Sequence, residues 1–294
     1  MSKKHQCKRE PMYLNAEAIE NQLPPNPLRL NKKRLFAADN LPKKWWYLSA
    51  TLKCEVCHSF IMVKFLKITV INDNEGTKGL MNSWGWSALV ESESWRMIFD
   101  AGPDPRILKN NSRTMGIDLN SISFGFMSHD HFDHSGGFAA LAGLKVYVSD
   151  VSGYLKSVGI DQILVREPAK LADSIWSSGA MYNLSVIEHF AVINHKNFGN
   201  VMIVGCSHPG IDVMLERAEG IHGKIKMLLG GFHNPALSKM ENVLKRCDTV
   251  LPSHCSGSKA KAMASTKSKY FEIRTGTTIA IDESGSLTHS YFVN

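Results

Sequence analysis

No apolar run in the chain approaches the roughly 18 residues that a membrane span requires, and the longest reach, residues 60–65, is broken at Lys64. Met1 opens a polar, lysine-rich stretch without the apolar core of a secretory signal, so the expected location is the cytoplasm. Cysteine is scarce: six residues scattered through 294 cannot staple a fold, and they are expected as reduced thiols. No internal repeat is found. Excess charge is missing from most of the chain too. Of the net +7, residues 1–61 carry +6, which leaves +1 for residues 62–294. A nucleic-acid footprint would have to sit at the front end, and nucleic acid is not the expected partner. Collagen, coiled coil, disulfide scaffold and membrane protein are thereby excluded. What remains is globular composition, 44% hydrophobic and 21% charged, with enough chain to bury a real core.

Proline divides the chain. Five of its eleven prolines (Pro11, Pro24, Pro25, Pro27 and Pro42) fall within residues 1–61, and the run 23–27 can be neither regular helix nor inner strand. No sustained period surrounds it. The stretch 1–61 reads as an irregular or disordered extension with a short helix over 17–23 and an apolar patch at Trp45, Trp46, Tyr47 and Leu48. The reading leaves open that translation starts at Met62. Residues 62–294 read as one domain. Runs rich in Val, Ile and Phe predict strands over 65–72, 87–92, 96–100, 122–127, 145–148, 186–194, 201–205, 225–229 and 249–252. Helices are predicted over 105–115, 135–142, 211–218, 237–246 and 259–265, and a closing hairpin over 277–282 and 286–292. Runs 186–194 and 201–205 flank a turn and read as another hairpin. The class is layered α/β.

The densest chemistry lies in Ser128-His129-Asp130-His131-Phe132-Asp133-His134-Ser135-Gly136-Gly137, directly after the predicted strand 122–127. His129 and His131 are two apart on extended chain, which aims both imidazoles the same way. Asp133 and His134 come at the next turn, where the two glycines let the backbone enter a helix closely. Three imidazoles and a carboxylate in six residues suit one or two ions of zinc, iron or manganese. Without a cation the same residues would crowd titratable groups together with no counter-ion. One cluster cannot close a two-ion site, so more ligands must come from downstream. Three predicted strand ends offer them: Gly205-Cys206-Ser207-His208-Pro209-Gly210, Gly230-Gly231-Phe232-His233 and Pro252-Ser253-His254-Cys255-Ser256-Gly257. Strand ends at one sheet edge are where α/β folds place their sites.

These residues resemble a known family. His129, His131, Asp133 and His134 match the signature of the metallo-β-lactamase superfamily. The wider pattern is similar to its dihydropteroate-synthase-like branch, which includes the enzyme that joins a dihydropterin to ribofuranosylaminobenzene phosphate. Support comes from Gly85-Trp86-Ser87-Ala88-Leu89-Val90-Glu91, Ile98-Phe99-Asp100-Ala101-Gly102, Met115-Gly116-Ile117-Asp118-Leu119 and the three strand ends, in order across about 65–282. The resemblance implies a four-layer αββα sandwich with a metal site at one edge of its two sheets. It also implies His129 and His131 on one ion, Asp133 and His134 on the other, and His208 and His254 as later ligands. Cys206 stands where the superfamily often has a bridging Asp or a Cys ligand, and it competes with His208. His233 is a ligand or a substrate contact; with Asp133 it makes the catalytic pair. Asp100 resembles the acid that orients the metal loop. Zinc is the expected metal, with magnesium, manganese or iron as alternatives. Three positions depart from the branch: Asp130 replaces a Gly, Ser253 a Cys, and Trp84 a His.

Two enzymatic readings need the same ligands. In the transferase reading, metals grip the diphosphate of a pterin-methyl diphosphate while an arylamine attacks the methylene carbon. In the hydrolase reading, a metal-bound hydroxide attacks a phosphoester, lactone or thioester. The branch resemblance favours the first; either way the substrate is a small molecule, expected to be phosphorylated. A metal-free binding module is the further alternative, and every ligand position being filled argues against it. Cys54, Cys57 and His58 spell a c-type haem motif, but haem attachment requires export, so these thiols are read as ordinary. Trp84, Trp86 and Trp95 are read as core or pocket wall, able to stack on a flat heterocycle. His189, His195, His222 and His289 are read as structural or surface residues.

Overall fold

The structure is a computed structural model that describes residues 62–184 and 186–293. The expectations for residues 1–61, including the extension, its short helix, its aromatic patch and the haem-like motif, lie outside the described residues.

The first strands are β1 (Leu66–Asn72), β2 (Ser87–Glu91), β3 (Arg96–Ala101), β4 (Phe124–Met127), β5 (Lys145–Val148) and β6 (Asp161–Leu164). Next come β7 (Ala169–Ala172), β8 (Ile175–Ser177), β9 (Met181–Asn183), β10 (Val186–Glu188), β11 (Ala191–His195) and β12 (Gly199–Val204). The last are β13 (Ile225–Gly231), β14 (Thr249–Ser253), β15 (Thr277–Ile281) and β16 (Leu287–Tyr291). The helices are α1 (Pro105–Thr114), α2 (Phe132–Ser135), α3 (Gly153–Ser157), α4 (Ile211–His222), α5 (Leu237–Arg246) and α6 (Gly257–Lys267). One sheet runs β16-β15-β1-β2-β3-β4-β5-β6, a second β14-β13-β12-β11-β8-β7, and β9 and β10 form a separate ribbon.

Side-chain alternation along the strands explains the layers. In β1, Leu66, Ile68 and Val70 face one way and Ile71 the other; in β12, Val201 and Ile203 oppose Met202 and Val204. Both sheets therefore bury both faces. The inner faces meet in a central core that includes Phe99, Phe126, Trp86, Met227 and Leu251. On the outside, Leu108 of α1 and Leu155 of α3 cover the first sheet. Met214 and Leu215 of α4, Met240 and Val243 of α5, and Ala260 and Ala264 of α6 cover the second. The architecture is the four-layer αββα sandwich.

Strand direction places the chemistry. Strands β3 to β6 are parallel, as are β12 to β14, and β1 runs antiparallel to β2, which is antiparallel to β3. The C-terminal ends of β1, β3 and β4 thus share one edge of the first sheet, and those of β12, β13 and β14 share one edge of the second.

Several local expectations need correction. The helix expected over 135–142 is a short α2 followed by a 3-10 turn over Gly136–Ala140. Both glycines are pressed against backbone, because a Cβ on Gly136 would collide with the Pro103 carbonyl and one on Gly137 with the Ala101 carbonyl. The strand expected over 186–194 breaks at His189 and Phe190 into β10 and β11, and its hairpin partner β12 begins at Gly199. Strands β6 to β9 were not anticipated.

Candidate metal centre

Each sequence-predicted ligand sits on a turn that leaves a strand. His129, His131, Asp133 and His134 follow β4; Cys206 and His208 follow β12; His233 follows β13; His254 follows β14. The structure brings all of them together. Their donor atoms form overlapping groups of three, each within 4.8 Å: His129, His131 and His208; Asp133, His134 and His254; His129, His134 and Cys206; and Cys206, His208 and His233. His208 joins the first pair of histidines, and Cys206 lies between the two halves of the cluster.

Three buried carboxylates hold these turns in place. Asp100, ending β3, accepts from Ser128 N–H at 2.7 Å, from Ser128 Oγ–H at 2.7 Å and from His134 Nδ1–H at 2.7 Å. Glu188, ending β10, accepts the backbone N–H groups of Cys206, Ser207 and His208 at 2.7–2.9 Å, and His208 Nδ1–H at 2.9 Å. Asp73, just past β1, accepts His254 N–H at 2.9 Å. Only Asp100 was anticipated from sequence. Glu188 was visible as a lone acid inside an apolar run, and that was its only signal. Five residues of these turns adopt left-handed backbone without being glycine: Asp100 (φ 51°), Ser207 (63°), His233 (52°), Asn234 (44°) and His254 (45°). Each costs of order 1–3 kcal/mol, which the surrounding hydrogen bonds must offset.

The hydrogen bonds also fix which ring nitrogen is free. An ionised carboxylate can only accept, so His134 and His208 carry their protons on Nδ1. Ser128 Oγ gives its single proton to Asp100, so at 2.9 Å from His129 Nδ1 it accepts. Asn74 Oδ1 accepts from Gly85 N–H while its amide group donates to the His254 carbonyl; at 3.0 Å from His254 Nδ1 the oxygen must accept again. His129, His134, His208 and His254 therefore all turn an Nε2 lone pair into the cluster. His254 Nε2 is buried with no hydrogen-bond partner, and Asp133 Oδ2 lies 3.3 Å away. Two acceptors facing each other are satisfied by a proton or a cation held between them. The residues present fit a divalent metal.

Protonation agrees with this at His129, whereas at His134 burial is outweighed by the Asp100 carboxylate, which raises the ring's pKa, so an ion there displaces a proton. Burial, then the neighbouring imidazoles, hold His129 well below the usual histidine range, so it stays neutral and able to ligate. Burial opposes the charge on Glu188, but His208 and the backbone N–H groups outweigh it and lower the carboxyl. For Asp133, burial is likewise overcome by the close contact with His254 and the neighbouring His134 ring, and its carboxyl is held well below the usual range. Cys206 and Cys255 share one proton: the contact pushes the Cys206 thiol up and draws Cys255 down to about 4.

Of the tryptophans, Trp86 and Trp95 are core, whereas Trp84 is 61% exposed with its ring centroid 5.1 Å from that of His254. His189 is buried and stacked on Phe126; His195 is buried against the Lys64 carbonyl.

No family model matches the chain. Among solved structures, a metal-dependent hydrolase of the β-lactamase superfamily superposes with a TM-score of 0.62 at 26% identity, covering 72% of this chain and 98% of that one. The chain has the metallo-β-lactamase fold. Two curated relatives come from Methanocaldococcus jannaschii. One is an uncharacterized protein, 26% identical over 66% of this chain and 91% of its own length. The other is 7,8-dihydropterin-6-methyl-4-(β-D-ribofuranosyl)-aminobenzene-5'-phosphate synthase, 25% identical over 61% of this chain and 83% of its own length. The likeness to metallo-β-lactamase-fold proteins and the converging donors together imply a divalent metal ion. No helix of the described residues is long and apolar enough to cross a membrane.

Proposed function

We propose that this metallo-β-lactamase-fold protein is a metal-dependent transferase that joins a dihydropterin-methyl group, supplied as its diphosphate, to an arylamine. The observation that carries the metal part is the convergence of four Nε2 lone pairs whose Nδ1 sides are all engaged. The substrate class rests on the likeness to the pterin synthase, and the exposed face of Trp84 beside His254 supports it by offering a platform for a flat ring.

His129, His131 and His208 would hold one ion, and Asp133, His134 and His254 the other, with Cys206 between them. When bound, the ions supply Lewis acidity that neutralises the leaving diphosphate. The amine nitrogen attacks the methylene carbon, the carbon–oxygen bond to diphosphate breaks, and the amine proton must leave. His233 is exposed at the rim, and its hydrogen bond to Cys255 raises its basicity, which suits a ring nitrogen to take that proton. Trp84 would orient the pterin.

A second reading is a hydrolase of a phosphoester, lactone or thioester, favoured by the likeness to the metal-dependent hydrolase. There Asp133 would orient the attacking water and His233 would protonate the leaving group. Pyrophosphate release from hydroxymethyl-dihydropterin diphosphate, with and without arylamine, separates the two. Release that depends on the amine is expected. Release without it supports the hydrolase, and no release in either case removes the pterin.

A further inference from the structure

We propose that Cys255 is a metal ligand as well, so that the ion beside His254 is held by two sulfurs, Cys206 and Cys255, and the centre selects a thiophilic ion such as zinc. This rests on the metal reading above. The two Sγ atoms lie 3.3 Å apart, and with a ring nitrogen of His254 they form a group of donors all within 4.8 Å of one another. Two sulfurs each about 2.3 Å from zinc sit roughly 3.8 Å apart at the tetrahedral angle and roughly 3.3 Å apart at a right angle; the observed separation matches the narrower angle, which suits an ion that also keeps Asp133 and His134. With Nδ1 engaged by Asn74, the nitrogen of His254 left to ligate is its buried Nε2.

The local backbone is what brings Cys255 to this point. Neighbouring side chains on extended chain point to opposite sides, and Ser253, the end of β14, is still extended at φ −132°. At His254 φ becomes +45°, so the turn over His254–Ser256 swings Cys255 round to the side of His254. Asn234 N–H on the Cys255 carbonyl at 2.9 Å and the Asn74 amide on the His254 carbonyl at 3.0 Å hold the turn. Gly231 keeps the space open, because a Cβ there would approach Cys255 Sγ to 2.8 Å and the His254 ring to 3.2 Å. The His233 backbone N–H donates to Cys255 Sγ at 3.3 Å, a contact suited to a thiolate. Two sulfurs at one ion favour zinc over magnesium or manganese, which prefer oxygen.

Cobalt(II) substitution tests this without an activity assay, since the near-ultraviolet thiolate-to-cobalt band grows with the number of bound sulfurs. The unmutated protein should show the band, Cys255→Ser should lose about half of it, and the double variant all of it. Full intensity in Cys255→Ser would overturn the proposal and leave Cys255 a mere neighbour. Should Cys255→Ser not fold, Cys206→Ser answers the same question: its cobalt form keeps a band only where Cys255 is bound, and loss of the whole band overturns the proposal. An unmutated protein that binds no cobalt would instead overturn the metal reading on which this one rests.

Discussion

One carboxylate oxygen of Glu188, wholly buried, accepts both the backbone N–H of His208 at 2.7 Å and its Nδ1–H at 2.9 Å. The same side chain accepts from Cys206 and Ser207, so one residue on β10 positions the whole turn after β12. Glu188→Gln turns an amide NH₂ toward groups that can only donate. Metal affinity should fall by about 10- to 100-fold, and unfolding free energy by roughly 2–4 kcal/mol. Chelator competition and urea denaturation measure the two. Unchanged values for both would mean that the turn is held by something else.

His131 lies at the exposed rim of the cluster and Asp133 is half-buried, so neither fills a core space. His131→Ala and Asp133→Ala should each strip metal, by at least about 100-fold in affinity, and abolish activity. The melting temperature of the metal-free protein should stay within about 4 °C of the unmutated value. Either variant keeping full activity and full metal would remove its residue from the centre.

The histidine-rich turn and the three later strand ends were legible because short motifs at the ends of apolar strands declare themselves one at a time. Closure across the fold did not. Glu188 reaches the 206–208 turn only once the ribbon of β9 and β10 packs there, and nothing in its spacing points to it. Cys255 was hidden by alternation, which would turn it away from His254; the positive φ at His254 reverses that. Strands β6 and β7 are short and half-exposed, Asp161–Leu164 and Ala169–Ala172, and carry little apolar period to read. The core strands β1, β3 and β5 show it plainly and were placed within a residue at each end.

His189 stacks on Phe126, donates Nε2–H to the Met127 carbonyl at 2.8 Å and accepts at Nδ1 from Ser177 Oγ at 2.9 Å, all in neutral form. Burial lowers its pKa from 6.5 to about 4. The unfolded chain takes up this proton below pH 6.5 and the folded chain only below about 4. The stabilisation is therefore complete above pH 6.5 and is lost as pH falls toward 4, to a total of about 3 kcal/mol. Urea unfolding of metal-free protein should show the gap between the unmutated chain and His189→Gln shrinking by about 2–3 kcal/mol from pH 7.5 to 4.5. A constant gap would show that His189 does not titrate in this way.

Every donor named above, and both sheets, lie between Leu66 and Tyr291. We propose that a chain starting at Met62 carries the whole function. Its melting temperature and metal affinity should match those of the full chain, and a large drop in either would assign residues 1–61 a part in the fold.

The most direct test of the centre itself is the number of metal ions per chain, read by elemental mass spectrometry after equilibration with zinc. Two ions per chain are expected in the unmutated protein, and one each in His131→Ala and His254→Ala, which remove a donor from different halves of the cluster. No bound zinc in the unmutated protein, or an unchanged count in both variants, would contradict the account.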